Sequence, residues 1–153
     1  IGMGQHGTAF GHAGMRMGPA ICYEGLYGDF YGDFVRRGAQ FMAIISNDGW
    51  WGDTPGYKHL FTISRLRAIE HRRAIARSAN TGMSGFISAR GDIGETLGWE
   101  KRGVISAAVP LNSELTFYTR YGDYLGRISE YLTLLCVLYY IAYRVKRKNY
   151  LVK

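Results

Sequence analysis

The stretch FMAIISNDGWWGDTPG, residues 41–56, decides how the rest of the chain is arranged. Its first six residues, Phe41 to Ser46, form a short continuous apolar run, which is typical of a fully buried strand in a parallel sheet. Asp-Gly and Pro-Gly pairs and two adjacent tryptophans then predict an irregular loop over residues 47–56. Loops at the ends of buried strands commonly carry binding and catalytic groups. The sequence therefore predicts a functional site just after Ser46.

On both sides of this stretch, predicted strands and helices alternate. Met15–Cys22 is predicted as a strand, and a helix over Tyr27–Arg37 leads from it to the strand at Phe41. Tyr57–Ser78 carries apolar residues along one side, which predicts an amphipathic helix that ends near Asn80. Three further strands, separated by glycine-containing turns, are predicted at Met83–Ser88, Ile93–Leu97 and Val104–Val109. This order of elements places the chain in the α/β class.

Glycine recurs at the start of the chain, and the segment from Gly2 to Gly7 matches the G-x-G-x-x-G pattern of dinucleotide-binding proteins. That motif needs a strand before it and a helix after it, so that the pyrophosphate meets a helix N-terminus. Here no strand precedes the glycines, and short extended pieces follow them. We therefore predict a loop and hairpin that binds no nucleotide cofactor. Because the chain begins at Ile1 inside this stretch, we expect it to be a piece of a longer protein.

The composition is that of one ordered globular domain or part of one. Of the 153 residues, 47% are hydrophobic and 20% are charged, which argues against disorder. The net charge is +7, but residues 144–153 contain five basic and no acidic residues, which leaves +2 for the rest of the chain. Nucleic-acid binding needs a basic face on the folded domain. The charge distribution therefore predicts no nucleic-acid partner.

The basic cluster follows an apolar run, Tyr131–Tyr143, of thirteen uncharged residues. As a helix this run would measure roughly 20 Å, less than the ~30 Å hydrocarbon core of a bilayer, and such a length is also typical of a buried core helix. Upstream extension through Leu125 and Ile128, tyrosines at both ends and the basic tail favour a single membrane span with a cytoplasmic C-terminus. We predict that residues 1–120 form the α/β domain and residues 121–153 the transmembrane helix and its tail.

Cys22 is the candidate nucleophile. It ends a predicted strand directly before a turn into a helix, where a side chain is exposed at the edge of the sheet, near backbone amides and a helix N-terminus. Such surroundings favour the thiolate, which is the reactive form of cysteine. Alternatively, Cys22 serves only as a small buried apolar residue. Glu24, two residues later, either contacts a substrate or orients a base, or it caps the helix that follows.

Other candidate residues have weaker patterns. Ser84 stands one residue short of the G-x-S-x-G pattern of a serine nucleophile. Cys22 and Cys136 lack the C-x-x-C spacing of zinc and redox sites. Trp50 and Trp51 either pack against the fold or lie at the headgroup level of a membrane. The histidines lack the spacing of zinc ligands, so no metal is expected at His6, His12, His59 and His71.

Four blocks of the sequence occur in the order that is found in one protein family. They are AICYE at Ala20–Glu24, SNDGWWG at Ser46–Gly52, SRLRAIEHRR at Ser64–Arg73 and RSANTG at Arg77–Gly82. With the apolar helix and the basic tail, these blocks make the chain similar to the C-terminal half of the apolipoprotein N-acyltransferases. That family belongs to the nitrilase, or carbon–nitrogen hydrolase, superfamily. The similarity extends from about Met15 through the terminal helix.

The resemblance implies the C-terminal half of a nitrilase-type α-β-β-α sandwich, followed by one transmembrane helix. It also implies transfer of a fatty acyl chain from a phospholipid to the N-terminal diacylglyceryl-cysteine of an apolipoprotein. Cys22 matches the family's nucleophile, and Tyr23 and Glu24 match neighbours that shape its site. We assign Cys22 and Glu24 to catalysis and Tyr23, Trp50 and Trp51 to substrate binding. The implied location is the bacterial inner membrane, with the α/β domain facing the periplasm.

The sequence departs from the family's pattern in one respect. The family's triad also contains a glutamate base and an oxyanion-binding lysine upstream of the cysteine, and neither has a counterpart here. We therefore expect the isolated chain to be inactive. One alternative function is that of a soluble or membrane-tethered carbon–nitrogen hydrolase acting on an amide or nitrile, although the apolar run and basic tail argue against a soluble one. Another is that of a membrane-anchored binding domain in which Cys22 is inert.

Overall fold

A computed structural model describes residues 6–151, which divide into two compact units at Gly122. The first unit is built on one mixed sheet with the strand order β1-β2-β3-β4-β5-β6. β2, β3 and β4 are parallel to one another, whereas β1, β5 and β6 run antiparallel to their neighbours. The strands are β1 (Phe10–His12), β2 (Met15–Ile21), β3 (Phe41–Ser46), β4 (Ile75–Ala79), β5 (Ser84–Ile87) and β6 (Ile93–Leu97). The predicted α/β class is confirmed.

Three helices belong to this unit: α1 (Gly28–Arg36), α2 (Pro55–His71) and α3 (Phe117–Tyr121). The core is formed where α1 and α2 cover one face of the sheet. Met42 and Ile44 of β3 are buried there because alternate side chains of a strand point to the same face. The parallel register places Met42 beside Ile75 of β4, and Phe34 of α1 and Phe61 of α2 belong to the same apolar cluster.

The opposite face of the sheet is partly open. Ile21 at the end of β2 is 60% exposed, and Ile45, its partner on β3, is 57% exposed. Phe41–Ser46 is thus a strand, as predicted, but it is buried on one face and not on both. A segment without regular secondary structure, residues 103–110, lines two grooves along this face, of about 360 and 240 Å³.

That segment contains the predicted strand Val104–Val109, and the prediction is wrong. The chain there has no regular secondary structure and belongs to no strand of the sheet. An apolar run without turn residues predicts an extended backbone, whereas a strand also needs a neighbour that pairs with its backbone groups. The sequence contains no direct signal for that neighbour.

The predicted helix Tyr57–Ser78 is also wrong in its last part. α2 ends at His71, because Arg72 takes a left-handed conformation with φ of 50° and donates its backbone N–H to the Ala68 carbonyl. The chain then enters β4, which lies between β3 and β5. A glycine usually occupies such a left-handed helix end. Without one, no residue type marks the end of the helix at His71, and the predicted end near Asn80 and Gly82 is too late.

The other predicted elements match closely. Ile93–Leu97 is a strand as predicted, Met15–Cys22 ends one residue early at Ile21, and Tyr27–Arg37 is a helix over Gly28–Arg36. Met83–Ser88 shortens to Ser84–Ile87. The predicted loop at residues 47–56 contains a 3₁₀ turn, Asp48–Trp51, and the start of α2. Most of the G-x-G-x-x-G stretch lies outside the described residues.

The second unit contains helix α4 (Tyr124–Leu151), which is 28 residues long. The helix is longer than the thirteen-residue apolar run, because Leu125 and Ile128 extend it upstream as predicted. Tyr124–Arg144 has a mean hydropathy of 1.3 over 21 residues, so it is long and apolar enough to cross a membrane. At 1.5 Å per residue, that length matches the ~30 Å hydrocarbon core. Membrane insertion itself stays a prediction.

Candidate active site

Cys22 lies where β2 ends at the edge of the sheet. It is the first residue of a 3₁₀ turn, Cys22–Leu26, which we call the cysteine turn, and it leads into α1. Its φ is +51°, in the left-handed region that non-glycine residues rarely adopt. The thiol is free and half-buried. Strained backbone of this kind is found mainly at functional sites, where the surrounding structure holds it in place.

The side chain of Glu24, a residue of the cysteine turn, bonds back to the backbone just before the turn. Its Oε2 accepts a hydrogen bond of 2.7 Å from the backbone N–H of Ile21, the residue before Cys22. A carboxylate bonded to a backbone N–H at the start of a helical turn stabilises that turn. The contact corresponds to the capping role that the sequence left open. The catalytic role assigned to Glu24 stays a prediction.

Ser46, the last residue of β3, contacts the sulfur from the neighbouring strand. Its Oγ lies 3.7 Å from Cys22 Sγ and 2.6 Å from Asp48 Oδ1. The parallel register explains this proximity, because Ile21 pairs with Ile45, so the residues that follow each of them meet at the same edge. Ser46 is 7% exposed and Asp48 is fully buried. The sulfur therefore faces a hydroxyl group that is bonded to a buried carboxylate.

Arg77 of β4 compensates the buried charge of Asp48. Its Nη1 lies 3.0 Å from Oδ2 and its Nη2 lies 2.9 Å from Oδ1, and Nη1 also donates to the Met83 carbonyl. A Cβ on Gly82 would collide with the Asp48 side chain, so the chain can pass this close only because residue 82 is glycine. We call Ser46, Asp48 and Arg77 the polar network. It connects the end of β3 and the middle of β4 to the sulfur through Ser46.

Aromatic side chains of the cysteine turn and of the turn after β3 are partly or largely exposed. Tyr23 is 48% exposed, and Trp50 is 84% exposed. Trp51 is 40% exposed and packs over Gly56 at the start of α2, where a Cβ would collide with its ring. Of the two possibilities raised for the tryptophans, packing against the fold applies to Trp51, whereas Trp50 projects into solvent. Substrate binding by Tyr23, Trp50 and Trp51 stays a prediction.

The sequence predicts a site just after Ser46, but it does not predict the polar network. Asp48 and Arg77 occur there only within blocks that resemble the family. The sequence does contain a signal for this network, namely a serine and an aspartate at the end of a buried strand and an arginine in a later apolar stretch. The predicted helix Tyr57–Ser78 includes Arg77, however, and an arginine in that helix would not lie beside Asp48.

No group of three or more metal-ligating side chains occurs among residues 6–151. Chemically, the arrangement offers one thiol at a strand end, one hydroxyl contact and one buried ion pair. A cysteine so placed is suited to form a covalent intermediate with a carbonyl compound. The described residues around it do not include a histidine or a lysine positioned to take its proton.

Comparison with known proteins shows which family the chain is similar to. Residues 2–115 match the family model of the carbon–nitrogen hydrolases. An apolipoprotein N-acyltransferase from Chlorobaculum tepidum is 45% identical over 109 residues, which cover 71% of this chain and 20% of that protein. Another from Rhizobium meliloti is 42% identical over 97 residues, which cover 63% of this chain and 18% of that protein. The chain thus spans about a fifth of the length of the curated relatives it matches.

The fold has solved counterparts. The crystal structure of Saccharomyces cerevisiae Nit3, a member of branch 10 of the nitrilase superfamily, superposes with a TM-score of 0.58. The match covers 67% of this chain and 40% of that chain at 20% identity, so it concerns the fold alone. The nitrilase-type fold implied by the sequence resemblance is confirmed.

Proposed function

The chain belongs to the carbon–nitrogen hydrolase family, and on this premise we propose that it is the nucleophile-bearing part of an N-acyltransferase. The proposed donor is a phospholipid and the proposed acceptor is the N-terminal diacylglyceryl-cysteine of an apolipoprotein. Two observations support the proposal together: the similarity to apolipoprotein N-acyltransferases, and the position of Cys22 on a strained turn at the end of β2.

The proposed reaction has two steps through one thioester. The Cys22 thiolate attacks the ester carbonyl of the phospholipid, the carbon–sulfur bond forms, and the carbon–oxygen bond breaks as the lysophospholipid leaves and takes a proton. The tetrahedral oxyanion is stabilised by hydrogen-bond donors, among them the backbone amide of Tyr23. The α-amino group of the apolipoprotein then attacks the thioester. An amide forms, the carbon–sulfur bond breaks, and Cys22 is regenerated.

A base and a cation are still needed for the first step. The described residues near Cys22 supply neither: Glu24 is bonded to the backbone of Ile21, and Arg77 is bonded to Asp48. We propose that the glutamate base and the oxyanion-binding lysine of the family come from parts of the protein outside this chain. Glu24 would then support catalysis by holding the cysteine turn in its strained conformation.

Membrane attachment is the second part of the proposal. α4 has the length and hydropathy of a membrane span, and basic residues follow it. A span with its C-terminus in the cytoplasm would satisfy the positive-inside rule and place the catalytic domain on the periplasmic side of the bacterial inner membrane. Trp50 and Tyr23, both exposed, are suited to the membrane interface. Confinement near lipid would raise the effective concentration of the donor.

The experiment is acyl-adduct detection on the full-length protein that carries this chain. Incubation with phosphatidylethanolamine should add one fatty-acyl mass to the peptide containing Cys22, and hydroxylamine should remove it. Cys22→Ala should abolish the adduct, whereas Cys136→Ala, which removes the other cysteine of the chain, should leave it intact. An adduct that persists in Cys22→Ala would refute the assignment. Turnover of a simple amide without an adduct from phospholipid would favour the hydrolase.

A further inference from the structure

Helix α3 has its polar and aromatic sides reversed relative to an ordinary surface helix. Thr119 is completely buried, whereas Phe117 and Tyr121 are both more than half exposed. These two aromatic residues are four positions apart, so they lie on the same side of the helix, and their ring centroids are 4.5 Å apart. A helix at the surface of a globular domain normally turns its apolar side inward. The aromatic pair is therefore suited to surroundings that are less polar than water.

Hydrogen bonds hold the inward side of α3 to the first unit. His71 Nδ1 of α2 lies 2.9 Å from Thr119 Oγ1, and Arg36 Nη1 of α1 donates to the Thr119 carbonyl at 3.0 Å. Just before the helix, Thr116 Oγ1 donates to the Glu70 carbonyl at 2.6 Å. Turning α3 over to hide the aromatic pair would leave these buried polar groups without partners, which is unfavourable. The fold thus fixes the pair in its outward position.

The aromatic pair is also close to the start of α4 along the chain. Tyr121 ends α3 and Tyr124 begins α4, and the apolar window of α4 starts at Tyr124. Consecutive Cα atoms are 3.8 Å apart, so the Cα atoms of these two tyrosines are at most about 11 Å apart. The headgroup region on each side of the hydrocarbon core is roughly 5–8 Å thick. If α4 crosses a bilayer, chain continuity alone keeps the pair in or just outside this region.

The residues on the outward side of α3 fit the chemistry of lipid headgroups. Tyrosine is enriched at membrane interfaces, where its ring meets apolar material and its hydroxyl group meets water. Arg120 is exposed and lies three positions after Phe117, so it is on the same side and can donate to lipid phosphates. The neighbouring acidic residue, Asp123, accepts a hydrogen bond of 2.9 Å from the backbone N–H of Gly126 within α4. Its carboxylate thus has a local role at the start of that helix.

We propose that Phe117, Arg120 and Tyr121 form an interfacial anchor, which lies in the phospholipid headgroup region where α4 enters the bilayer. The inference rests on the membrane attachment in the proposed function, and it does not depend on acyl transfer. The first unit would then contact the bilayer through its own surface, in addition to its covalent connection to α4. A domain held at two points turns away from the lipid less freely than a domain held by its chain alone.

The experiment is depth-dependent fluorescence quenching on the full-length protein in phospholipid vesicles. Tyr121→Cys, in a protein without other cysteines, is labelled with a small environment-sensitive fluorophore. We expect lipids with a spin label at the headgroup to quench it more than lipids labelled near the end of the acyl chain, and iodide in the water to quench it weakly. Phe117→Cys should show the same order, also if the Tyr121 variant does not fold. Leu66→Cys, at an exposed apolar position of α2, is the matched control and should not be quenched by either lipid.

A label within α4 separates this proposal from that of membrane attachment. Leu134→Cys lies inside the apolar window and should be quenched most by lipids labelled near the end of the acyl chain. With that result, quenching of the α3 labels by iodide alone would overturn the anchor and leave membrane attachment intact. Protection of the α3 labels from every quencher would also overturn it, because another part of the protein would then cover the pair.

Two further outcomes are informative. Headgroup quenching of the Leu66 label as strong as that of the α3 labels would overturn the anchor, because the contact would then not be specific to α3. Absence of lipid quenching at Leu134 as well as at α3 would refute membrane attachment together with the anchor. The measurement requires no acyl transfer, so it is independent of the acyl-adduct experiment.

Discussion

Arg77 binds the carboxylate of Asp48 at two points, Nη1 to Oδ2 at 3.0 Å and Nη2 to Oδ1 at 2.9 Å, inside the protein. Asp48 lies two residues after the end of β3 and Arg77 is the middle residue of the neighbouring parallel strand β4, so the ion pair joins the turn after β3 to β4. The pair also fixes the oxygen that accepts the Ser46 hydrogen. The geometry of the candidate site thus depends on a contact that does not involve the cysteine itself.

We expect Arg77→Met to lower the free energy of unfolding by about 3–5 kcal/mol, because it leaves the carboxylate of Asp48 buried without a positive charge to compensate it. The measurement is denaturant unfolding of the full-length protein in detergent. Arg37→Met is the matched control, since Arg37 pairs with Asp33 at the surface and is itself 46% exposed. Exposed pairs contribute at most about 1 kcal/mol. Similar losses in both variants would contradict the special role of the buried pair.

A second prediction concerns the space beside the ion pair. We expect Gly82→Ala to lower the free energy of unfolding by about 1–3 kcal/mol, because the new Cβ would collide with the Asp48 side chain and displace it from Arg77. Gly98→Ala is the control, since nothing lies within 4 Å of a Cβ placed there. Its effect should stay within about 0.5 kcal/mol. The measurement is the thermal unfolding midpoint of the two variants. An unchanged midpoint in Gly82→Ala would show that the loop can move away from Asp48.

Local patterns were sufficient for much of the fold, but not for the contacts between elements. The apolar run at Phe41–Ser46 and the strand before Cys22 followed from composition and spacing. β4 did not, because α2 ends at His71 and Arg72, not a glycine, follows it in the left-handed conformation, so no local signal marks the change from helix to strand. With β4 missing, the register that brings Arg77 next to Asp48 could not be derived.

The difference between local and non-local contacts also explains which residues of the candidate site could be predicted from the sequence. Cys22 and Glu24 are close in sequence, so their relationship across one turn could be anticipated. Ser46 contacts Cys22 across 24 residues, and its hydrogen bond depends on the register of two parallel strands. Parallel pairing is non-local, and a single sequence does not state which residues face one another.

A buried histidine makes the stability of the first unit depend on pH. His71 of α2 is 1% exposed, lies between the rings of Tyr31 and Tyr118, and has its Nδ1 2.9 Å from Thr119 Oγ1. Burial, and then the nearby positive charge of Arg67, lower its pKa from 6.5 to about 3. The folded protein therefore keeps His71 neutral at a pH at which the unfolded chain would already bind a proton.

It follows that the contribution of neutral His71 to the free energy of unfolding is complete above about pH 6.5. This contribution is lost as the pH falls from 6.5 to about 3. In that window we expect a loss of about 1.4 kcal/mol per pH unit from this one group. His71→Gln should flatten the acid side of a stability–pH profile measured by denaturant unfolding. His59→Gln, at an exposed position of the same helix, should not change its slope. An equally steep acid side in His71→Gln would assign the titration to another group.

The last prediction concerns α4, and it uses Cys136, which lies within the apolar window Tyr124–Arg144. In a full-length protein without other cysteines, a water-soluble maleimide should not modify Cys136 in intact membranes, because thiols in hydrocarbon do not meet the reagent. Detergent should restore the reaction, which serves as the internal control.

The orientation of α4 is tested with Cys136 also replaced. Asp123→Cys should then react from the periplasmic side, and Lys146→Cys only after the inner membrane is broken, in accord with the positive-inside rule. Modification of Cys136 in intact membranes would mean that the helix does not span the bilayer, and reaction of the Lys146→Cys variant from outside would reverse the proposed orientation.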